Sequence, residues 1–121
     1  MFTDKRTARR FLTRMSIVSS DKEGLNFSFL ADLSREGAYI ETEKLLAVGS
    51  PFTFVMGNRL IQSPVNTRVV RVRDAFFEGG RSGIGVRFEK LDSVAKTLRD
   101  DMLLYLMSEP YHVCWYTQPH P

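Results

Sequence analysis

The sequence predicts a small, mainly β protein: about six short strands closing an antiparallel barrel, followed by one C-terminal helix. Three observations carry that prediction. Short apolar runs rich in Val, Ile, Phe and Tyr recur from Met15 to Phe88, separated by turns marked with Gly and Pro. From Asp92 the apolar spacing changes to three and four residues, the period of a helix. The chain of 121 residues holds one domain with a single modest core, and no internal repeat, low-complexity tract or interdomain linker divides it.

Residues 1–14 lack a clean apolar period and read as a basic arm leading into the barrel. Met15-Ser16-Ile17-Val18 is the first expected strand, and Ser20 to Gly24 a polar turn. Phe27-Ser28-Phe29-Leu30 and Ala38-Tyr39-Ile40-Glu41-Thr42 are the next two, meeting at the polar stretch Asp32-Leu33-Ser34-Arg35-Glu36-Gly37. After the punctuated turn Ala47 to Pro51, Phe52-Thr53-Phe54-Val55-Met56 alternates as a fourth strand and breaks at Gly57-Asn58-Arg59. The run through residues 60–74 puts Thr67, Val69, Arg71 and Arg73 on one face and Arg68, Val70 and Val72 on the other, which suits a twisted strand whose burial changes along its length. A glycine-rich connection, Glu78 to Gly83, leads to a last strand, Ile84-Gly85-Val86-Arg87-Phe88.

Asp92 or Ser93 can cap a helix over about 92–108, whose stripe is Val94, Ala95, Leu98, Met102, Tyr105 and Leu106 and whose end is set by Pro110. That stripe is expected to close one end of the barrel, a dimer seam being the alternative. The organisation is therefore an arm over 1–14, a barrel with its helix over 15–109, and a tail over 110–121. The tail holds three of the five prolines together with Tyr111, Trp115 and Tyr116; it either straps back on the body or frays, with partner binding a third use.

Composition, at 43% hydrophobic and 26% charged, is that of a soluble globular protein and argues against global disorder. No apolar run approaches the roughly 20 residues that span a bilayer, and no apolar stretch follows the N-terminal basic residues as a secretory signal requires. The single cysteine, Cys114, excludes an internal disulfide; a cytoplasmic protein without membrane insertion is expected. Charge is uneven. Within the first 15 residues Lys5, Arg6, Arg9, Arg10 and Arg14 face only Asp4, a net +4, so the remaining 106 residues of this +3 chain carry a net −1. A basic arm on a near-neutral body points to one localised anionic partner. DNA or RNA is not expected, because a nucleic-acid face would spread its cations over the body.

Catalytic patterns are missing. His112 and His120 lie in the tail with Cys114, too few groups for a zinc site or a nucleophilic triad, and Gly80 to Gly85 has its glycines in the wrong order for a dinucleotide loop. An enzyme is not expected, and neither a metal nor a cofactor. Recognition remains. Arg10 and Arg14 are four apart and share a face on helix or strand, where they repel unless an anion lies between them. They can grip phosphate bidentately and stack on bases. Asp32 can only accept hydrogen bonds, Ser34 can accept or donate, and Gly37 permits positive φ or close approach of another group. Arginine for phosphate and aspartate for the adjacent N–H donors of guanine together describe a guanine nucleotide site. A plainer account stays open: a solvated arm, and an Asp/Ser/Gly turn that caps its own backbone.

An R-x-x-x-R arm (Arg10, Arg14, preceded by Arg9), then D-x-S-x-x-G (Asp32, Ser34, Gly37), then Gly83-Ile84-Gly85-Val86-Arg87-Phe88 closing a barrel, resembles the PilZ domain family over about residues 5–107. The resemblance implies a six-stranded split barrel that receives the bacterial second messenger cyclic di-GMP. By resemblance Arg10 and Arg14 clamp phosphates and guanine, Asp32 and Ser34 read a guanine base, and Gly37 keeps the turn open. Arg9 implies room for two stacked ligand molecules instead of one. Glu36 departs from the pattern at a position where family members often carry glycine, and an inward carboxylate there would oppose the phosphates. The expected function is a single-domain effector whose arm orders over cyclic di-GMP and alters a surface for an unidentified downstream protein. The alternatives are an interaction adaptor of the same fold with little nucleotide affinity, and an arm that binds nucleic acid or anionic membrane.

Overall fold

A computed structural model describes residues 11–21, 24–57, 61–75 and 81–108. The chain runs through β1 (Phe11–Asp21), β2 (Gly24–Leu33), β3 (Gly37–Glu41), β4 (Pro51–Gly57), β5 (Gln62–Arg73), β6 (Gly83–Phe88) and α1 (Ser93–Ser108). All strand pairs are antiparallel, and the order β1-β2-β3-β6-β5-β4 closes on itself through Val18↔Val55 and Ser19↔Phe54. Closure removes the unpaired edges that an open sheet of six short strands would expose. The expected mainly β barrel with a C-terminal helix is the fold.

One core fills the barrel and continues under the helix. Ile17, Leu30, Leu33, Ile40, Phe54, Met56, Val65, Val69, Ile84 and Val86 from the strands join Ala95, Leu98, Met102, Leu103 and Leu106 in a single buried cluster. The helix packs on β1, β4 and β5 and so covers one mouth of the barrel. Each fully buried Leu or Met on that stripe contributes roughly 1.5–3 kcal/mol, which is what holds the helix down. Asp92 is the cap: its Oδ1 accepts the N–H of Ala95 at 2.8 Å. The stripe is turned slightly from the expected one, with Leu103 buried and Val94 exposed. No helix among the described residues is long and apolar enough to cross a membrane.

Three differences from the expected strands matter for the site. β1 begins at Phe11, not Met15, because Phe11↔Leu33 and Leu12↔Asp32 pair with β2. The segment 11–14 is therefore wall, and Asp32 lies within β2, so the turn proper is Ser34-Arg35-Glu36. A bulge interrupts β1 between Leu12 and Met15, over Thr13 and Arg14. A second bulge, between Val69 and Arg71, overturns the expectation that these two share a face. One extra residue reverses the alternation. Val69 pairs with Val86 in the core, while Arg71 and Arg73 pair with Gly85 and Gly83, beyond the core-facing Ile84 and Val86.

Candidate ligand-binding site

The D-x-S-x-x-G segment is a tightly tied β2–β3 connection. Ser34 donates its N–H to the Gly37 carbonyl at 2.9 Å. Its hydroxyl accepts the N–H groups of Glu36 and Gly37, each at 3.2 Å, and donates to the Gly37 carbonyl at 3.3 Å. With the residue only 3% exposed, the hydroxyl is fully occupied in closing the turn. This is the self-capping role; any influence of Ser34 on a ligand acts through the turn it shapes. Of the two uses expected of Gly37, close approach of another group is the one the structure has. It needs no positive φ, and the space a side chain would fill is not left for a ligand: a Cβ there would collide with the carbonyl oxygen of Val86. Its missing side chain lets β3 approach β6, where Gly37 pairs with Arg87.

The turn is held from outside as well. Phe88 donates its N–H to the Glu36 carbonyl at 2.8 Å, and Arg99 of α1 donates from Nη1 to the Arg35 carbonyl at 3.0 Å. The Arg99 side chain is 13% exposed and is also bonded through Nε to Asp100 Oδ1 at 2.9 Å. Glu36 itself is exposed.

Beside the turn lies an arginine-rich outer wall. Arg14 emerges at the β1 bulge with its guanidinium 4.4 Å from the centre of the Phe29 ring and Nη1 3.4 Å from Glu41 Oε1. Arg81 Nε approaches the same oxygen at 3.9 Å. The register Leu12↔Asp32↔Tyr39↔Gly85↔Arg71 forms one row across five strands. Within it, Tyr39 donates its hydroxyl hydrogen to the Arg81 carbonyl at 3.2 Å, and the Arg71 guanidinium lies 5.7 Å from the Tyr39 ring centre. Burial raises the Tyr39 pKa above the ordinary tyrosine value, against the lowering pull of Arg73 and Arg71, so the phenol is neutral at physiological pH. Asp32, Ser34 and Gly37 follow one another along β2, the turn and the start of β3, whereas the Arg14 guanidinium lies at the far end of β3 beside Phe29 and Glu41; Arg9 and Arg10 lie outside the described residues. Tyr39, Glu41, Arg71, Arg81 and Arg99 escaped sequence reasoning. The one available signal was Gly83-Ile84-Gly85 inside a strand, since strand glycines mark close approach of another group. No group of three or more His, Cys, Asp or Glu that could hold a metal occurs among the described residues.

The PilZ domain family pattern matches residues 4–105. The chain belongs to the PilZ domain family. Solved structures agree at the level of fold. The PilZ domain of YcgR from Escherichia coli, solved with c-di-GMP, superposes with a TM-score of 0.70 at 12% identity, covering 90% of this chain and 96% of that one. The K. pneumonia MrkH–c-di-GMP complex gives 0.72 at 16% identity, over 91% of this chain and 56% of MrkH. The Bacillus subtilis inhibitor of motility (MotI/DgrA) gives 0.68 at 10% identity, over 88% and 53%. This PilZ domain therefore spans a little over half of the latter two chains. No curated protein matches the sequence.

Proposed function

We propose that this PilZ domain is a cytoplasmic receptor for cyclic di-GMP, without catalytic activity of its own, that binds through Arg9, Arg10 and Arg14 together with Asp32 and the turn that follows it. The observation that carries this reading is the pairing of Phe11 with Leu33 and of Leu12 with Asp32. Phe11 and Leu12 lie inside the R-x-x-x-R stretch and pair with the start of the D-x-S-x-x-G segment, which supports a reading in which arginines serve phosphate and a carboxylate serves guanine N–H donors. Structures of two relatives in the same fold with this ligand support it further. Hydrogen bonds to charged groups contribute about 1.5–3 kcal/mol each, so four such contacts exceed the roughly 8 kcal/mol of a micromolar complex only if ordering the arm costs little. Ligand that ties the arm to the wall presents a changed surface to a downstream protein.

The test is calorimetric titration with cyclic di-GMP of the wild type, Arg10→Ala and Asp32→Ala. Binding in the wild type with loss in both variants is expected; equal binding in all three sinks the site. The adaptor reading also has an observation in its favour. Ser34 and Gly37 are both required by the fold, so their presence needs no ligand. A flat wild-type trace would decide for it.

A further inference from the structure

Beyond the two motifs, the outer wall carries a second recognition element. A Cβ on Gly83 would come within 2.7 Å of the Cζ and Oη of Tyr39, and one on Gly85 would touch Arg71 at 3.4 Å. The two glycines of β6 therefore form a bare strip over which Tyr39 reaches from β3 and Arg71 from β5. The bulge at Val69/Arg71 is what turns Arg71 to this side. The Arg71 guanidinium lies 5.7 Å from the centre of the Tyr39 ring. Tyr39 in turn is Asp32's cross-strand partner, so its backbone lies one strand spacing, about 4.8 Å, from that of Asp32.

We propose that Tyr39 and Arg71 form a stacking platform for a guanine base of cyclic di-GMP, with Asp32 meeting a base edge and the platform meeting a base face. The proposal rests on the cyclic di-GMP reading above. A half-buried aromatic ring beside a cation and next to a carboxylate suits a purine: the ring and guanidinium planes take the π-face, which every base presents, while the carboxylate supplies the preference for guanine. The phenol hydrogen is already given to the Arg81 carbonyl, so the ring is what this residue offers.

The experiment titrates cyclic di-GMP into the wild type, Tyr39→Phe, Tyr39→Leu, Arg71→Met and Asp32→Ala, with the guanine H8 proton followed by NMR. Tyr39→Phe keeps wild-type affinity. Tyr39→Leu weakens binding roughly 5- to 100-fold, the range of base stacking on an aromatic ring. Arg71→Met weakens it about tenfold. The H8 signal moves upfield, from ring current, on the wild type and Tyr39→Phe but not on Tyr39→Leu. If Tyr39→Leu does not fold, Arg71→Met at an exposed position and the wild-type H8 shift decide alone. Wild-type binding that fails in Asp32→Ala but is unchanged in Tyr39→Leu and Arg71→Met overturns the platform and leaves the ligand reading standing. Absence of binding in the wild type overturns both.

Discussion

If cyclic di-GMP binds at Arg14 as proposed, Glu41 competes with it, and replacing Glu41 with glutamine should tighten binding. Its Oε1 lies 3.4 Å from Arg14 Nη1 and 3.9 Å from Arg81 Nε, so one carboxylate draws two wall arginines inward. Glu41 is mostly covered, at 19% exposure, whereas Arg14 is half exposed at 50%. A phosphate approaching Arg14 has to displace that contact or share the guanidinium with it. Exposed ion pairs are worth about 0.2–1 kcal/mol, and the long second contact to Arg81 adds little. Removing the carboxylate charge therefore lowers the dissociation constant by about 1.4- to 5-fold. The amide keeps the side chain's shape, so the change is one of charge.

Calorimetry at low and high salt measures this directly. The gain should shrink as salt rises toward about 1 M, where screening reaches only about 3 Å. Asp101→Asn is the control, because it removes one negative charge at an exposed position of α1. If Asp101→Asn tightens binding as much as Glu41→Gln does, the effect is net charge and not competition. If Glu41→Gln weakens binding, Glu41 is orienting Arg14 for the phosphate, and the reasoning from competition is refuted.

Two further outcomes follow from the turn. Gly37→Ala should cost about 2–3 kcal/mol in urea denaturation, since its Cβ meets the Val86 carbonyl and backbone cannot swing aside as a side chain would; wild-type stability would show that β3 and β6 have room to part. Arg99→Met keeps the aliphatic stem but removes the donor to the Arg35 carbonyl. It should lower stability by about 1.5–3 kcal/mol and speed hydrogen exchange at the Glu36 and Gly37 amides, and unchanged exchange would mean that the turn holds without the helix.

The strand alternation of β4 was legible because one face is buried and the other is not: Phe54 and Met56 enter the core while Val55 stays outside. The helix was legible from its period and from Asp92, whose carboxylate does cap it. The motif turn was legible as a chemical pattern, yet its parts divide in a way the pattern does not reveal. Asp32 belongs to a strand, Ser34 to turn closure and Gly37 to strand approach. The bulges at Leu12/Met15 and Val69/Arg71 were not legible, because a bulge depends on the partner strand's register and not on its own residues. Both fall where an arginine joins the wall. The Arg99–Arg35 contact joins residues 64 apart in sequence, and no local pattern announces it.

The fold's demands decide which substitutions report on a ligand. Removing the Ser34 hydroxyl releases two backbone N–H groups in a buried turn, and lengthening Gly37 pushes on β6, so either change can abolish binding through the barrel itself. Asp32, Arg14 and Arg71 are better probes, because none of the three lies in the buried core. The same ties give occupancy a route outward. A base held at Asp32 bears on a turn whose Arg35 carbonyl is gripped by Arg99, and Arg99 stands on the helix that caps the barrel mouth beside Leu98, Met102 and Leu103. On the proposed reading, the Arg99–Arg35 contact is the tie through which a displaced turn would bear on α1, where Leu104 and Met107 are exposed.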